Sequence, residues 1–461
     1  MNEEQKKALA LAFNEALKYR QEVGKQSPVP RARADDLRKA FGGGVPEKGM
    51  AGEVVIRELV EKAAPGLLGL NSPKFFAWVM GPSHPIGVAA DWLTSMWGQN
   101  AGNYFCSPSA AIVEEVAGKW LLQLLDLPTI SSVGFVTGAT MANFTGILAG
   151  RHAVLQKVGW NVEEKGLFGA PDVNVIIGEE AHATVFSALQ FAGLGRERVI
   201  KIPADGNARM EVKGCLKALE NCQGPTLLIL QAGQINSGDF DPFSEIIPKA
   251  HEKGAWVHID GAFGLWARIS PALKGMTTGV EDADSFSVDG HKWLQTPYDC
   301  GYAICRHPEV HAKAMTIAAS YLPVEDFPDP SHFVPELSRR ARGFATWAMI
   351  KHLGREGIRD LIEKHVRLAK HFAKLLALVE GVEVLNTVVL NQFVVRFGDE
   401  DQLTKRVIEE VLKDGTCFVR GALWQGKWIM RISVITGPTE EQDIRESAEA
   451  ILKAWAKVKA L

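Results

Sequence analysis

Residues 256–264, WVHIDGAFG, and residues 286–293, FSVDGHKW, each run from an apolar stretch into charged side chains and a glycine. A short apolar run bounded by turn formers suits a strand buried on both faces. Similar runs recur at Val133–Val136, Val173–Ile177, Val199–Ile202 and Leu227–Leu230, so with Trp256–Ile259 and Phe286–Val288 six buried strands are expected. Stretches of helical spacing, such as Met141–Gln156 and Phe240–Lys253, lie between most of them. This alternation predicts an α/β fold, a mostly parallel central sheet flanked by helices on both faces. Ligands of such sheets sit beyond the carboxyl ends of the strands, and that is where Asp260 and Lys292 fall.

Outward from this core, residues 2–23 carry Leu9, Phe13 and Leu17 at four-residue spacing and stop at Gly24. They read as an amphipathic helix whose apolar stripe needs a partner surface. The stretch to about Gly49 holds Pro28, Pro30, Gly42, Gly43, Gly44 and Pro46, the composition of a linker or extended arm. Beyond Arg306 helical spacing returns at Arg342–Leu353 and Arg355–Leu378. Strands are expected within Val382–Phe397 and at Trp428–Val434, and a last helix at Glu440–Val458, which together suggest a smaller C-terminal α+β domain. The expected organisation is an N-terminal helical segment at 1–70, a large domain at 71–305 and a small domain at 306–461. Tyr321 to Pro335, rich in Pro, Asp and Phe, reads as a long loop, and such loops are often functional.

A chain of 461 residues with 46% hydrophobic and 23% charged side chains buries a large core in more than one unit. A net charge of −3 offers no broad positive field for a phosphate backbone, so a small molecule is the expected partner and nucleic acid is not. The first residues, with Glu3, Glu4, Lys6 and Lys7, do not read as a secretory signal, and no apolar run reaches the ~18 residues of a membrane span. Six scattered cysteines without CxxC pairs fit reduced thiols in a cytoplasmic protein.

Four strand ends could carry chemistry. Thr137-Gly138-Ala139-Thr140 is a small-residue turn into a helix, which serves equally as a tight turn or as a phosphate cradle of backbone N–H groups. Asp260 could cap a turn, or could stabilise the protonated nitrogen of a pyridine ring. Lys292, between His291 and Trp293, could snorkel to the surface, or could attack a carbonyl carbon once burial favours its neutral amine. His182 could be a capping histidine, or could stack on an aromatic cofactor. His258 and Asp260 also alternate on one strand face, which leaves open a metal site completed by His182 or His291.

Phosphate turn, histidine, Asp-x-Ala and His-Lys, in that order along a parallel sheet, resemble the group II pyridoxal-phosphate-dependent decarboxylases of fold type I, the family of aromatic-L-amino-acid and glutamate decarboxylases. HIDGAFG and HKWLQTPYDCG carry most of that resemblance, which covers nearly the whole chain. Residues 75–120 look like the family's substrate-side region, and residues 338–357 like the start of its C-terminal domain. The resemblance implies pyridoxal 5'-phosphate as cofactor, a Schiff base at Lys292, and Asp260 on the pyridine nitrogen. It further implies Ala262 on one ring face, His182 on the other, and Ala139, Thr140 and His291 at the phosphate. It implies a homodimer with shared active sites, wrapped by the N-terminal helices. The reaction implied is decarboxylation of an L-amino acid, through an external aldimine and a quinonoid, to an amine.

Three departures qualify the reaction. The family's catalytic-loop tyrosine, which protonates the substrate carbanion, corresponds to Pro330, so Tyr321 or His332 would have to supply the proton. Failing both, oxygen could divert the reaction to an aldehyde. Gly233-Gln234-Ile235 stands where the family has Gly-Thr-Thr. Asp289 lies close to the expected phosphate, an unusual place for a second negative charge. An aminotransferase or lyase on the same fold, a metal hydrolase and a non-catalytic scaffold are the alternatives. Trp78, Trp97, Phe76 and Phe105 suit either an aromatic substrate pocket or the core.

Overall fold

The computed structural model describes residues 1–316 and 329–460. A seven-stranded sheet is built from β1 (Ser132–Val136), β2 (Asn174–Gly178), β3 (Ile200–Ile202), β4 (Thr226–Gln231), β5 (Trp256–Asp260), β6 (Ser285–Asp289) and β7 (Gly301–Cys305). Their order is β1-β7-β6-β5-β4-β2-β3, and β2 through β6 pair in parallel. Each parallel step needs a crossover, and helices such as Ala183–Phe191, from β2 to β3, and Phe243–Glu252, from β4 to β5, supply them. The six expected strands are all present.

A seventh strand, β7, was not among them. It joins β6 without an intervening helix, so it must enter antiparallel, as it does to both β6 and β1. Its apolar run, Tyr302–Cys305, is short and follows turn-forming residues, yet the strand is wholly buried. Gly301 opens β7 and lies in register between Asp289 of β6 and Val136 of β1. A Cβ there would stand 2.5 Å from the Gly138 backbone, so only glycine lets the turn after β1 close onto this point.

By its contacts the described chain forms two compact units. One comprises Met1–Trp78, Lys370–Leu385 and Val394–Leu461; the other comprises Val79–Ala369 and Asn386–Phe393 and holds the large sheet. These bounds differ from the expected breaks at 70 and 305. The first unit contains most of a four-stranded sheet of β8 (Val382–Val384), β9 (Gln392–Phe397), β10 (Arg420–Trp424) and β11 (Lys427–Ser433), in the order β10-β11-β9-β8. The expected break between two helices near residue 354 is real: Gly354, at φ +62° and ψ 178°, interrupts Gly343–Ala377.

The expected linker is partly helical. Ala34–Phe41 forms a helix with Asp35 and Asp36 in its first turn, where negative charge is favoured. The helix ends at Gly42, and Leu37 packs so closely on Gly66 that a Cβ there would meet it at 2.8 Å. Averaging over the prolines and glycines on either side hides these eight residues. Helix Glu3–Glu22 forms as expected, and Leu9, Phe13 and Leu17 remain exposed along it.

Candidate active site

Asp260 and Asp289 end neighbouring parallel strands, which places two carboxylates side by side at the carboxyl edge of the sheet. Asp260 is 4% exposed. Its Oδ1 accepts from the hydroxyl of Ser287, the residue opposite it in register, at 3.2 Å and from the Ala262 amide at 3.3 Å. Ala262 links the two strand ends, because its carbonyl accepts from the Asp289 amide at 2.9 Å.

Lys292 does not snorkel. Its side chain is 18% exposed, with Nζ 2.9 Å from Asp289 Oδ2 and 5.7 Å from the centre of the Phe263 ring. The other oxygen, Asp289 Oδ1, accepts from the Ala139 amide at 2.6 Å. Ala139 is the first residue of helix Ala139–Gln156, and the N–H groups of a first turn lack intrahelical acceptors. One buried carboxylate therefore ties the lysine to the head of a helix 150 residues away in sequence.

His291 lines the same point. Its Nδ1 accepts from the Cys300 amide at 3.1 Å, which leaves the ring proton on Nε2, 3.4 Å from Asp289 Oδ1. Burial is the main cause that pulls this imidazole below its ordinary value, so the neutral form prevails. Its ring stacks on Tyr298 at 4.3 Å, and burial, with the Asp289 charge adding, raises the Tyr298 phenol.

The residues suit pyridoxal phosphate on three counts. A helix head with a glycine before it makes an anion cradle, and a Cβ on Gly138 would meet His291 Cε1 at 2.8 Å. A half-buried amine stands beside that cradle, and a buried carboxylate ends the next strand. Thr140 is exposed in the first turn of the same helix.

His182 follows β2 and caps helix Ala183–Phe191, with Nδ1 accepting from the Thr184 amide at 3.3 Å. The capping alternative is therefore realised in this structure, and it leaves the ring half-buried at the carboxyl edge. Gly178, Glu180 and Ala181 line one narrow cavity with Asp260, which brings the segment before His182 to the carboxylate. Asp241, in the same cavity, escaped the sequence reading. It accepts from the amides of Met210 and Gln231, both at 2.7 Å, and burial raises its carboxyl to about 6. Gln234 folds its own loop, with Oε1 accepting from the amides of Asn236 and Ser237.

His258 cannot serve as a metal ligand. Its Nδ1 pairs with Ser285 Oγ at 2.8 Å and its Nε2 with Asn143 Oδ1 at 2.9 Å, and burial lowers the imidazole to about 3. Phe76 belongs to the core, edge-on to Phe372, while Trp97 and Phe105 are exposed. Tyr321 lies outside the described residues. His332 sits in the short helix Pro330–Phe333 beside β1, 3.8 Å from Asp329. Pro330 is buried and opens that helix.

An aromatic-L-amino-acid decarboxylase of Bacillus atrophaeus is 26% identical over 455 residues, covering 95% of this chain and 91% of the relative. A phenylacetaldehyde synthase of a Rosa hybrid cultivar is 25% identical over 495 residues, covering 98% and 95%. The crystal structure of Oryza sativa TDC with PLP and tryptamine shares the fold, with a TM-score of 0.93 over 99% of this chain and 98% of that one at 23% identity. The pyridoxal-dependent decarboxylase conserved domain matches residues 35–397, and the chain therefore belongs to that family, as a carboxy-lyase of amino acids that uses pyridoxal phosphate.

Proposed function

We propose that the chain decarboxylates an aromatic L-amino acid, with Lys292 as the residue that holds the cofactor covalently and Asp260 as the partner of its pyridine nitrogen. The observation that carries this reading is the bridge from Lys292 Nζ through Asp289 to the Ala139 amide, which puts an amine and an anion cradle within one cofactor's reach. Pyridoxal phosphate, when bound, supplies an electron sink for the pair released at the substrate Cα. Asp260, fixed by Ser287 and the Ala262 amide, would face the ring nitrogen and favour its protonated form. Ala262 and His182 would pack against the ring, and Ala139, Thr140 and His291 would hold the phosphate. Residues that fix the orientation of the substrate carboxylate would decide whether CO₂ or the α-proton is lost.

The aromatic substrate is supported by the relatives, and a homodimer with shared sites by the exposed stripe on Glu3–Glu22, a helix with no buried residue. A cytoplasmic setting is supported by free cysteines that include buried Cys215, Cys300, Cys305 and Cys417. Among the described residues no helix is long and apolar enough to cross a membrane. Purified protein should release CO₂ and the matching amine from L-tryptophan, L-tyrosine or L-phenylalanine; turnover of L-glutamate alone would refute the aromatic class.

A second reading rests on Pro330, which has no proton to give where the family has a tyrosine. If neither Tyr321 nor His332 protonates Cα, one O₂ and one water are consumed per substrate, and CO₂, aldehyde, ammonia and hydrogen peroxide appear together. Oxygen uptake matched to CO₂ release would favour this product set, whereas amine formed without oxygen uptake would reject it.

A further inference from the structure

We propose that Asp289 is the proton acceptor that turns Lys292 into the amine able to capture the cofactor, and that docking of the cofactor's phosphate triggers the transfer. The inference rests on the reading of Lys292 as the cofactor-bearing residue. It accounts for a feature that the cofactor chemistry leaves unexplained, a buried carboxylate placed where a phosphate should go.

The starting state is a closed ion pair. Lys292 Nζ stands 2.9 Å from Asp289 Oδ2, and the Asp289 side chain is only 3% exposed. An ammonium in such a pair has no lone pair and cannot attack an aldehyde. The Asp289 charge is held by Lys292, by the Ala139 N–H at the positive end of a helix, and by the Nε2 edge of His291 at 3.4 Å. Among the described residues, the other ionisable groups nearby include Tyr298, Asp299, Cys300, Tyr302 and, at the end of the adjacent strand, Asp260. Both phenols are kept protonated chiefly by burial.

A phosphate arriving at the helix head competes for the Ala139 amide and for His291. Asp289 then loses a charge-stabilising donor and gains a negative neighbour, and both changes favour a proton on its carboxylate. The nearest proton is on Lys292. One N–H bond of the ammonium breaks and one O–H bond forms at Asp289 Oδ2; charges of +1 and −1 become two neutral groups, with no proton drawn from solvent. The freed lone pair attacks the aldehyde carbon, and one water leaves as the carbon–nitrogen bond is completed. Asp289, now a donor, can hydrogen-bond to the phosphate it would otherwise repel. The device couples recognition of the phosphate to activation of the nucleophile, so an aldehyde without a phosphate meets an unreactive ammonium.

The test uses the full-length chain freed of cofactor, mixed with pyridoxal phosphate or with pyridoxal, trapped with borohydride, and read by the mass of the Lys292 peptide. With wild type, capture of pyridoxal should rise about tenfold per pH unit below the range where free lysine titrates, while capture of pyridoxal phosphate should be far flatter. Inorganic phosphate added with pyridoxal should speed its capture severalfold, a measurement that needs no variant. In Asp289→Asn the carboxamide can still accept from Ala139 but cannot take the proton, so the two aldehydes should share one pH profile and phosphate should no longer help. Asp289→Glu should restore the separation. The proposal is overturned if phosphate leaves wild-type pyridoxal capture unchanged, or if Asp289→Asn keeps two distinct profiles. Absence of label on Lys292 in wild type would instead overturn the assignment of that lysine, which is a different result.

Discussion

Strand β6 carries a buried aspartate at each end of its length, and the two are held in opposite ways. Asp284, just before the strand, accepts from His251 Nε2 at 3.0 Å, from His307 Nε2 at 2.9 Å and from the Val257 amide at 2.8 Å. Those hydrogen bonds outweigh burial and hold its carboxyl down at about 2. Asp289, at the carboxyl end, is bound to an amine and a helix-head amide, both of which a bound cofactor would claim. The amino edge of the sheet is thus closed by partners that need never leave. The carboxyl edge is closed by partners that the proposed cofactor would displace.

The sharpest way to break this contrast is Lys292→Ala, which should abolish covalent attachment of the cofactor and reduce turnover roughly a thousandfold or more. Borohydride reduction followed by peptide mass mapping checks the first part. Asp260→Asn should leave attachment intact but lower kcat by about 10²–10³, the size expected when one preorganised charge at the reacting centre is lost. An unchanged kcat would show that the two strand-end carboxylates do not share one active site.

At the opposite edge the expected effect is on stability. Asp284→Asn should cost about 3 kcal/mol in urea unfolding while sparing cofactor attachment, because it leaves two histidines and an amide facing a weaker acceptor. The sign of the pH effect follows from the depressed carboxyl. The stabilisation from Asp284 is fully present above its ordinary value near 3.8 and is lost as pH falls through about 2. It amounts to about 2 kcal/mol, and acid titration of the variant should lack that component. His258 acts over a different window: held neutral by burial to about 3, it makes the fold lose stability as pH falls below about 6.5. The smallest expected effect is at Gly354, where φ +62° with ψ 178° is reserved for glycine. Gly354→Ala should cost about 1 kcal/mol in thermal or urea unfolding without altering turnover.

Much of the carboxyl edge of the sheet could be read from the chain itself. The apolar runs that end at Asp260 and precede Lys292 are periodic, and periodicity is a local property. The glycine–alanine turn at Gly138 and Ala139 was equally visible, and the local pattern left a tight turn and a phosphate cradle as equal alternatives. What could not be read is whatever depends on residues distant in sequence. His258 resembled a metal ligand until Asn143 and Ser285 occupied both its nitrogens. Phe76 resembled a pocket residue until Phe372 packed against it. Helix Ala34–Phe41 was hidden because the prolines and glycines around it dominate any average taken over that window.

The amino-acid sequence alone determined that strands and helices alternate and that Asp260, His291 and Lys292 follow apolar runs, because hydrophobic pattern and turn chemistry act between near neighbours. Only the tertiary structure decided what Asp289 touches. Its partner Ala139 lies 150 residues away, and the two meet because β7 runs antiparallel between β6 and β1 with a glycine at the crossing. A hydrogen bond of that kind depends on strand order, which no local pattern encodes.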